Sequence, residues 1–507
     1  MKKMSDEAIS FGRRISMLAT EHPEQDAIIF VRQDGSEQHV CWAELDRNAT
    51  AAAHALQRSG VRLGSMVVVA LPNCVEHFYA TLGAWRLGAC VLPLHPRMPG
   101  AEREAMLRVA EPSIIVSDWQ HANYVCLPAA ALTQSPCYTP LPDVVAHPGK
   151  SIGSGGSTGT PKIIIDPSPW AKRPGDFARV MGGFLGFRTG QTQLIAGPLY
   201  HNSPFTWSHC GLFEDHKLIV MAHFDAARFV DIVGRHRVQF AFMVPTMMRR
   251  IISLPDIRQR DFSSVEAFWH SAAPCPAWLK QSWIELLGPE RLYEAFGSTE
   301  GVGLVTMRGD EWLTHPGSVG RPRLTEIRII DDRGHTLPPG EIGEIFMRLT
   351  ITDAAPYRYL GCEPAKSSDG FISVGDLGWL DDQGYLFIAD RRVDMIISGG
   401  ANVYPAEVEN ALTQHPEVLD VAVIGLPDED WGRRVHAVIQ PANPKHPPSI
   451  TELDGHCRER LAPYKVPKSY EFLEQFPREE NGKIRRSALL ARYEEMRNAS
   501  VTGGGAA

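Results

Sequence analysis

One ten-residue stretch, Gly153 to Lys162, combines the residue types that hold a polyphosphate, and it reads GSGGSTGTPK. Glycines lack a Cβ, so successive backbone N–H groups can turn toward an anion and approach it closely. The hydroxyls of Ser154, Ser157 and Thr158 add donors, and Lys162 adds a positive charge. The stretch predicts binding of a nucleotide's phosphates, although flexible loops without a ligand share this composition.

The spacing excludes two common phosphate-binding loops. Pro161 stands before Lys162, where the GxxxxGK loop of P-loop NTPases has glycine, and Thr158 stands at the third glycine position of the dinucleotide motif GxGxxG. The apolar residues Ile163 to Ile165 follow at once and predict a strand. A strand directly behind the loop favours a ligand-binding loop over a flexible linker.

Four further segments place a reactive side chain in a turn. GPLYHNSP puts His201 at the end of an apolar strand, where α/β proteins place ligand sites. In LYEAFGSTEGVG, Glu300 offers a hard oxygen ligand for Mg²⁺ and Thr299 offers a donor to a phosphate. Asp376 could accept hydrogen bonds from both hydroxyls of a ribose. Lys483 lies in the turn of PREENGKIRR.

Each of these residues also has an ordinary structural interpretation. His201 could be a turn or core histidine, and Glu300 an acid at a helix N-terminus. Asp376 could form an Asx-turn, and Lys483 could be a solvated lysine. The local sequence leaves both interpretations open at every one of these positions.

Together, the motifs resemble those of the adenylate-forming superfamily of acyl-CoA synthetases, adenylation domains and luciferases. SGGSTGTPK is similar to the family's loop TSGTTGxPKG, with Gly155 in place of the usual serine and Ile163 in place of the final glycine. GPLYH is similar to its P-x-x-H motif, FGSTE to YGxTE, and PREENGKIRR to PxxxxGKxxR. Five motifs in the family's order, spread from residue 153 to 486, span about two-thirds of the chain, which argues against coincidence.

The resemblance implies an acid–CoA ligase that uses ATP, Mg²⁺ and CoA. A carboxylic acid and ATP give an acyl-adenylate and pyrophosphate, and the CoA thiol then displaces AMP. One alternative is an adenylation enzyme that loads the acid onto the phosphopantetheine thiol of a carrier protein. An amino-acid substrate of such an enzyme would need an acidic pocket residue, which Trp207 and Trp269 do not supply. A second alternative is a non-catalytic nucleotide-binding paralogue, but binding alone does not require Glu300, Asp376 and Lys483 together.

The resemblance also implies a role for individual residues. Four residues are expected to act in catalysis, two of them as Mg²⁺ ligands: Lys483, His201, and the ligands Glu300 and Thr158. The nucleotide is expected to contact Ser154, Gly156, Ser157, Thr158, Gly159, Lys162, Ala272, Ala273, Glu294, Ala295, Phe296, Gly297, Ser298, Thr299, Asp376, Ile388, Arg391 and Lys483. The hinge is expected at Asp394, and the loop that faces CoA at Ser398, Gly399 and Gly400.

The acyl pocket is expected to combine aromatic and small residues, which predicts an extended apolar slot with a few polar tips. Its expected members are Trp207, Met243, Val244, Trp269, His270, Ser271 and Ala272. The block HSAAPCPAWLK resembles the branch of bile-acid or steroid-acid CoA ligases, which implies a bulky alicyclic acid. An aryl or medium-chain acid fits the same residues.

The elements that must position these residues alternate between helices and short apolar strands. The predicted strands include Ala27 to Val31, Met66 to Ala70 and Ile114 to Ser117, a pattern typical of a layered α/β fold. We predict a large N-terminal domain at 1–393 that binds AMP and the acyl group, made of layered α/β sheets plus a β-barrel-like part. A small, mobile α+β C-terminal domain at 394–495 and a disordered tail at 496–507 are predicted to follow.

Composition restricts the compartment and the partners. The chain has 507 residues, a formal net charge of −8 and nine cysteines, none of them in a CxxC pair. This predicts a cytoplasmic protein with reduced thiols and disfavours nucleic acid or a membrane as partner. The basic N-terminus is interrupted by acids and predicts an amphipathic helix instead of a signal peptide. The expected partners are the acid, ATP and CoA, with a homodimer as one option.

Overall fold

The computed structural model describes residues 7–134, 136–154, 162–351, 357–361, 369–391, 394–398, 401–428, 430–478, 484–486 and 488–493, without the side chains of Ser154 and Arg391. Several predicted site residues lie outside these ranges: Gly156, Ser157, Thr158, Gly159, Gly399, Gly400 and Lys483. The predicted tail at 496–507 lies outside them as well.

Helices and strands alternate along the described chain. The helices are α1 (Phe11–Glu21), α2 (Trp42–Arg58), α3 (Val75–Arg86), α4 (Gly100–Ala110), α5 (Ala131–Gln134), α6 (Asp176–Leu185), α7 (Asn202–Phe213), α8 (Ala226–Arg235), α9 (Pro245–Ile252), α10 (Ala277–Leu287), α11 (Gly309–Thr314), α12 (Pro405–Leu412) and α13 (Ile450–Arg458). The strands of the first half are β1 (Ile9–Ser10), β2 (Asp26–Val31), β3 (Glu37–Cys41), β4 (Met66–Ala70), β5 (Cys90–Pro93), β6 (Ile114–Ser117), β7 (Cys126–Leu127), β8 (Lys150–Ser154), β9 (Lys162–Asp166), β10 (Ala171–Lys172), β11 (Thr192–Ile195), β12 (Lys217–Met221) and β13 (Phe240–Met243). Those of the second half are β14 (Ala267–His270), β15 (Leu292–Gly297), β16 (Leu304–Arg308), β17 (Arg321–Arg323), β18 (Thr325–Ile330), β19 (Gly343–Leu349), β20 (Arg358–Leu360), β21 (Ile372–Leu380), β22 (Leu386–Arg391), β23 (Ile396–Ser398), β24 (Ala401–Val403), β25 (Val418–Asp428), β26 (Gly432–Pro441) and β27 (Ser469–Phe472).

Two large sheets form the N-terminal part. One has the order β17-β16-β15-β14-β13-β11-β12-β2-β3 and the other the order β20-β9-β8-β5-β4-β6-β7. Their central strands pair in parallel, while β3, β16, β17, β9 and β20 are antiparallel additions. The central strands are short and apolar because helices cover both faces of a parallel sheet.

A continuous apolar core lies between these sheets and contains residues of α1, α2, α3 and α7. Trp85 of α3 stacks on Trp170 with ring centroids 4.5 Å apart, and Phe11 of α1 contacts both rings. The helix predicted at the N-terminus is α1, capped by the Ser10 hydroxyl, which accepts a hydrogen bond from the Arg13 N–H. This core fixes the relative position of the two sheets whose edges carry the predicted site.

Two smaller sheets and the two-stranded pairs β1–β10 and β23–β24 make up the remaining sheets of the described residues. Strands β18, β19, β21 and β22 form an antiparallel sheet, in which β21 and β22 are neighbours. Near the C-terminus, β25, β26 and β27 form a sheet covered by α12 and α13, with its own apolar core. The large α/β domain and the small C-terminal domain are thus confirmed, while the boundary at 393/394 stays a prediction.

The small domain contacts the large one through a shared carboxylate. Asp420 of β25 lies 3.3 Å from the Arg249 guanidinium of α9 and also pairs with Arg478. Arg249 donates a further hydrogen bond to the carbonyl of Leu419. Among the described helices, none is long and apolar enough to cross a membrane.

Candidate active site

Lys162, Tyr359 and Glu300 form one hydrogen-bonded group. The Tyr359 hydroxyl donates to Glu300 Oε1 at 2.6 Å and accepts from Lys162 Nζ at 3.0 Å. The Lys162 ammonium also lies 4.4 Å from the centre of the Tyr359 ring and 3.6 Å from Glu300 Oε1. Two residues predicted to act on the triphosphate are therefore neighbours, and a tyrosine that the sequence analysis missed joins them.

The sheets explain how residues so distant in sequence meet. Lys162 opens β9, directly after the predicted phosphate loop, and β20 pairs with β9 so that Tyr359 lies opposite Ile164. Glu300 lies in the turn after β15, so it is not at a helix N-terminus. Burial raises the pKa of Tyr359, and the hydrogen bond to Glu300 raises it further, so the hydroxyl keeps its proton and remains a donor.

The segment predicted to hold the nucleotide runs along the end of β15. Phe296 is half-buried, and the Ser298 hydroxyl is buried without a hydrogen-bond partner in the described part of the chain. Such an orphaned donor suits a polar ligand atom. Asp376, predicted to bind the ribose, and Arg391, another predicted nucleotide contact, lie directly opposite each other in the β21–β22 pair, and Ile388 lies on β22 as well.

The loop before His201 is braced from the other sheet. Asn73 donates to the carbonyls of Gly197 at 3.1 Å and Met221 at 2.9 Å, and accepts from the Leu199 N–H at 2.8 Å. His201 caps α7, and its ring lies 4.8 Å from that of Tyr200. Asn73 was not predicted from the sequence, because no local pattern indicates a side chain that supports a loop 124 residues away.

Aromatic side chains build a wall on one face of β13, β14 and β15. The ring of Trp207 of α7 stacks on those of Phe242 and Trp269, with ring centroids 6.2 Å and 6.4 Å apart. The ring of Trp269 stacks on that of Tyr293, with centroids 5.1 Å apart. The Trp269 indole N–H donates to the Leu185 carbonyl at 2.8 Å, which fixes the ring. Trp207, Phe242 and Tyr293 remain half-buried, so the wall borders space that a ligand can reach. We call these four rings the aromatic wall.

Three predicted site residues point away from the aromatic wall. Side chains alternate along a strand, so Met243, His270 and Glu294 face α9 and α10 while their neighbours face the wall. The Glu294 carboxylate pairs there with the buried Lys280 ammonium. Burial lowers the pKa of His270 to about 4. These three residues could serve substrate or nucleotide only through their backbone, whereas Phe242 and Tyr293, which the sequence analysis missed, belong to the wall.

The remaining predicted pocket residues follow strand ends. Val244 is half-buried and directly follows β13. Ser271 follows β14, and its N–H donates to the Met243 carbonyl at 3.4 Å. Ala272 has a φ of 74°, in the left-handed region that favours glycine, and Ala273 follows it. The carboxyl ends of these parallel strands therefore form one edge, the usual place for a ligand in such sheets.

Asp394, the predicted hinge residue, is bound by an arginine of the PREENGKIRR motif. Arg486 contacts Asp394 at 3.0 Å and Glu409 of α12 at 2.7 Å. Ser398 ends β23 and is 2% exposed, and its hairpin partner is Ala401 of β24. Arg486, the last residue of PREENGKIRR, thus binds the residue at which the hinge is predicted.

The residues present fit a magnesium ion that arrives with a nucleotide. Glu300 is a hard oxygen donor beside a lysine that can bind phosphate. No group of three or more His, Cys, Asp or Glu that could hold a metal occurs among the described residues. A single carboxylate nevertheless suffices, because Mg²⁺ on a nucleotide takes most of its ligands from phosphates and water.

Comparison with known proteins identifies the class. A model of AMP-binding enzymes matches residues 16–147 and 152–351, and a model of the AMP-binding enzyme C-terminal domain matches residues 407–483. A feruloyl-CoA synthase of an Amycolatopsis species is 31% identical over 482 residues, 91% of this chain and 95% of the relative. A fatty acid–[acyl-carrier-protein] ligase, ScoC, of Streptomyces coeruleorubidus is 29% identical over 488 residues, 90% of this chain and 92% of the relative.

A solved structure agrees with this result. The o-succinylbenzoate CoA synthetase (MenE) of Bacillus subtilis, in complex with its acyl-adenylate intermediate, superposes with a TM-score of 0.81 at 27% identity, over 94% of this chain and 97% of that chain. The chain belongs to the AMP-binding enzyme family. It is an ATP-dependent, AMP-forming acid–thiol ligase that uses ATP and CoA, so the predicted class is confirmed. The roles of individual residues stay predictions.

Proposed function

We propose that the chain activates a planar aryl carboxylic acid and transfers it to CoA. The observation that carries this proposal is the aromatic wall, whose rings lie nearly parallel: Trp207 makes angles of 22° with Phe242 and 25° with Trp269, and Trp269 makes 15° with Tyr293. A flat ring gains offset stacking on such a surface, about 0.5–1.5 kcal/mol per aromatic pair beyond its buried area. A bulky alicyclic acid gains only area there.

The names of several relatives support an aryl acid. A feruloyl-CoA synthase and 2-succinylbenzoate–CoA ligases of Bacillus are among the proteins similar to this chain. Their names denote acids that carry an aromatic ring. We therefore prefer the aryl alternative of the sequence analysis to the steroid-acid one.

In the proposed reaction the carboxylate attacks the α-phosphate of ATP and pyrophosphate leaves. Two anions must meet, so the site has to offset their repulsion. Lys162 and the phosphate loop would offset the negative charge of the triphosphate. Glu300 would hold the Mg²⁺ that offsets the negative charge of the leaving pyrophosphate. Lys483, delivered by the small domain, would stabilise charge at the reacting oxygens. The CoA thiol then attacks the acyl carbon, and AMP leaves.

Transfer to a carrier protein is a second candidate, favoured by the similarity to the acyl-carrier-protein ligase. ATP–pyrophosphate exchange over benzoates, cinnamates, cholate and fatty acids, followed by mass analysis of the thioester, separates the candidates. We expect aryl acids to support both exchange and CoA thioester formation. Exchange without CoA thioester would favour carrier loading, and a preference for cholate or fatty acids would contradict the aryl proposal.

A variant tests the wall directly. Trp207→Leu should lower kcat/KM for the best aryl acid roughly tenfold, the equivalent of about 1.4 kcal/mol of lost stacking and packing. The KM for ATP should not change. Trp431→Leu is the matched control, because Trp431 lies in the small domain, is 39% exposed and contacts Lys468. An equal loss in both variants, or none in the first, would contradict the role of the wall.

We include a cytoplasmic location in the proposal, since ATP and reduced CoA are supplied there. A homodimer stays a prediction that gel filtration with light scattering can test.

A further inference from the structure

Tyr359 lies between two charged groups, and it has no role in the proposed reaction. Its hydroxyl contacts Glu300 Oε1 at 2.6 Å and Lys162 Nζ at 3.0 Å, while the lysine and the glutamate are 3.6 Å apart. Both charged groups are thus closer to the hydroxyl than to each other. An unobstructed ammonium–carboxylate pair would close to about 2.8 Å.

The supports of Tyr359 make its position specific. Strand β20 pairs with β9, so the Tyr359 backbone is fixed two residues from Lys162 in the register. Its ring contacts that of Tyr357 at 4.9 Å, and Tyr357 is 4% exposed. The Lys162 ammonium lies over the Tyr359 ring, which orients the lysine as well. The hydroxyl on the edge strand β20 therefore lies between Glu300, which is in a turn, and Lys162, which is the first residue of β9.

A closer ion pair between Lys162 and Glu300, with a direct hydrogen bond, would compete with the ligands of both more strongly than the present separation of 3.6 Å. Glu300 would offer Mg²⁺ a carboxylate already neutralised by an ammonium, and Lys162 would offer phosphate an ammonium already neutralised by a carboxylate. A tyrosine hydroxyl satisfies both groups with weaker bonds, because it accepts from one and donates to the other without carrying a charge.

We propose that Tyr359 is a positioning residue that keeps Lys162 and Glu300 apart, so that the site can receive magnesium-bound triphosphate. This inference rests on the proposed function, in which Glu300 serves Mg²⁺ and Lys162 serves phosphate. When the nucleotide binds, the carboxylate exchanges the hydroxyl for the metal, and the ammonium exchanges it for a phosphate oxygen. The hydroxyl is released from both and takes no part in bond making.

The test is Tyr359→Phe, which removes one oxygen and keeps the ring under Lys162. Calorimetric titration of ATP into the full-length enzyme at a series of Mg²⁺ concentrations, without acid or CoA, measures binding with no chemistry. We expect the half-saturating Mg²⁺ concentration to rise roughly tenfold, which corresponds to the free energy of one hydrogen bond to a charged group. Tyr138→Phe is the control, because Tyr138 is 50% exposed and outside the site, and it should leave the Mg²⁺ requirement unchanged.

A second measurement separates positioning from a structural defect. Thioester formation from a supplied acyl-adenylate and CoA needs neither Mg²⁺ nor triphosphate, so Tyr359→Phe should leave this rate unchanged. An unaltered Mg²⁺ requirement would overturn the inference, and so would equal losses in the binding and thioester experiments. Failure of the wild-type enzyme to exchange pyrophosphate with any acid would instead refute the proposed function.

Discussion

Two buried histidines should make this protein sensitive to mild acid. His77 of α3 and His209 of α7 are both fully buried, and within the described structure neither ring nitrogen of His77 has a hydrogen-bond partner. Burial lowers the pKa of His77 to about 3, with a further contribution from His209, and burial lowers the pKa of His209 to about 4. Both rings are therefore neutral in the folded protein at neutral pH.

The direction in which stability changes with pH follows from proton binding in the folded and unfolded states. An unfolded histidine titrates near a pKa of about 6.5, so below that pH the unfolded chain binds protons that the folded chain refuses. Stability is fully present above about pH 6.5 and falls as the pH drops toward the folded pKa values. Between pH 8 and pH 5, each histidine should remove about 2 kcal/mol from the free energy of unfolding, and the pair about 4 kcal/mol.

Urea unfolding at pH 8 and pH 5 measures this loss. The double variant His77→Met/His209→Met cannot titrate at these positions, so its stability should fall by about 4 kcal/mol less than that of the wild type. His446→Met is the control for the substitution itself, because His446 is exposed. If the double variant and the wild type lose the same stability between pH 8 and pH 5, burial of these two histidines does not cause the loss.

Two further predictions concern the reaction. Lys483→Ala should nearly abolish formation of the acyl-adenylate while sparing thioester formation from a supplied adenylate, and equal losses in both half-reactions would contradict a role of Lys483 confined to adenylate formation. Asn73→Ala should lower the free energy of unfolding by about 2–4 kcal/mol and raise the KM for the acid, because two buried backbone groups before His201 and the Met221 carbonyl lose their partner. Urea unfolding and steady-state kinetics check the second prediction, and unchanged values of both would refute the bracing role of Asn73.

The strands were the part of the fold most accessible from sequence. Met66 to Ala70 and Ile114 to Ser117 form strands with the predicted bounds, because an apolar run between turn residues has few other structures in an α/β protein. The contiguous motifs also indicated that Lys162 and Glu300 serve one site, and the two residues are neighbours.

Features that depend on tertiary structure could not be predicted from the local sequence motifs. Tyr359 is 59 residues from Glu300 and 197 residues from Lys162, so no local pattern connects them. The wall residue Phe242 could have been found from the period of two along β13, since its neighbour Met243 faces the other side of the sheet. A motif identifies the residues of a segment, whereas the alternation of side chains along the strand determines which of them face the ligand site.

The carboxylate of Asp420 has one arginine partner in each domain, Arg249 in the large domain and Arg478 in the small one. A rotation of the small domain about Asp394 would leave Arg478 beside Asp420 and withdraw Arg249. The energy of that separation is electrostatic, so dissolved ions weaken it over a screening length of about 8 Å at physiological ionic strength. The predicted change of domain orientation, and with it the passage from the first half-reaction to the second, would therefore depend on salt concentration.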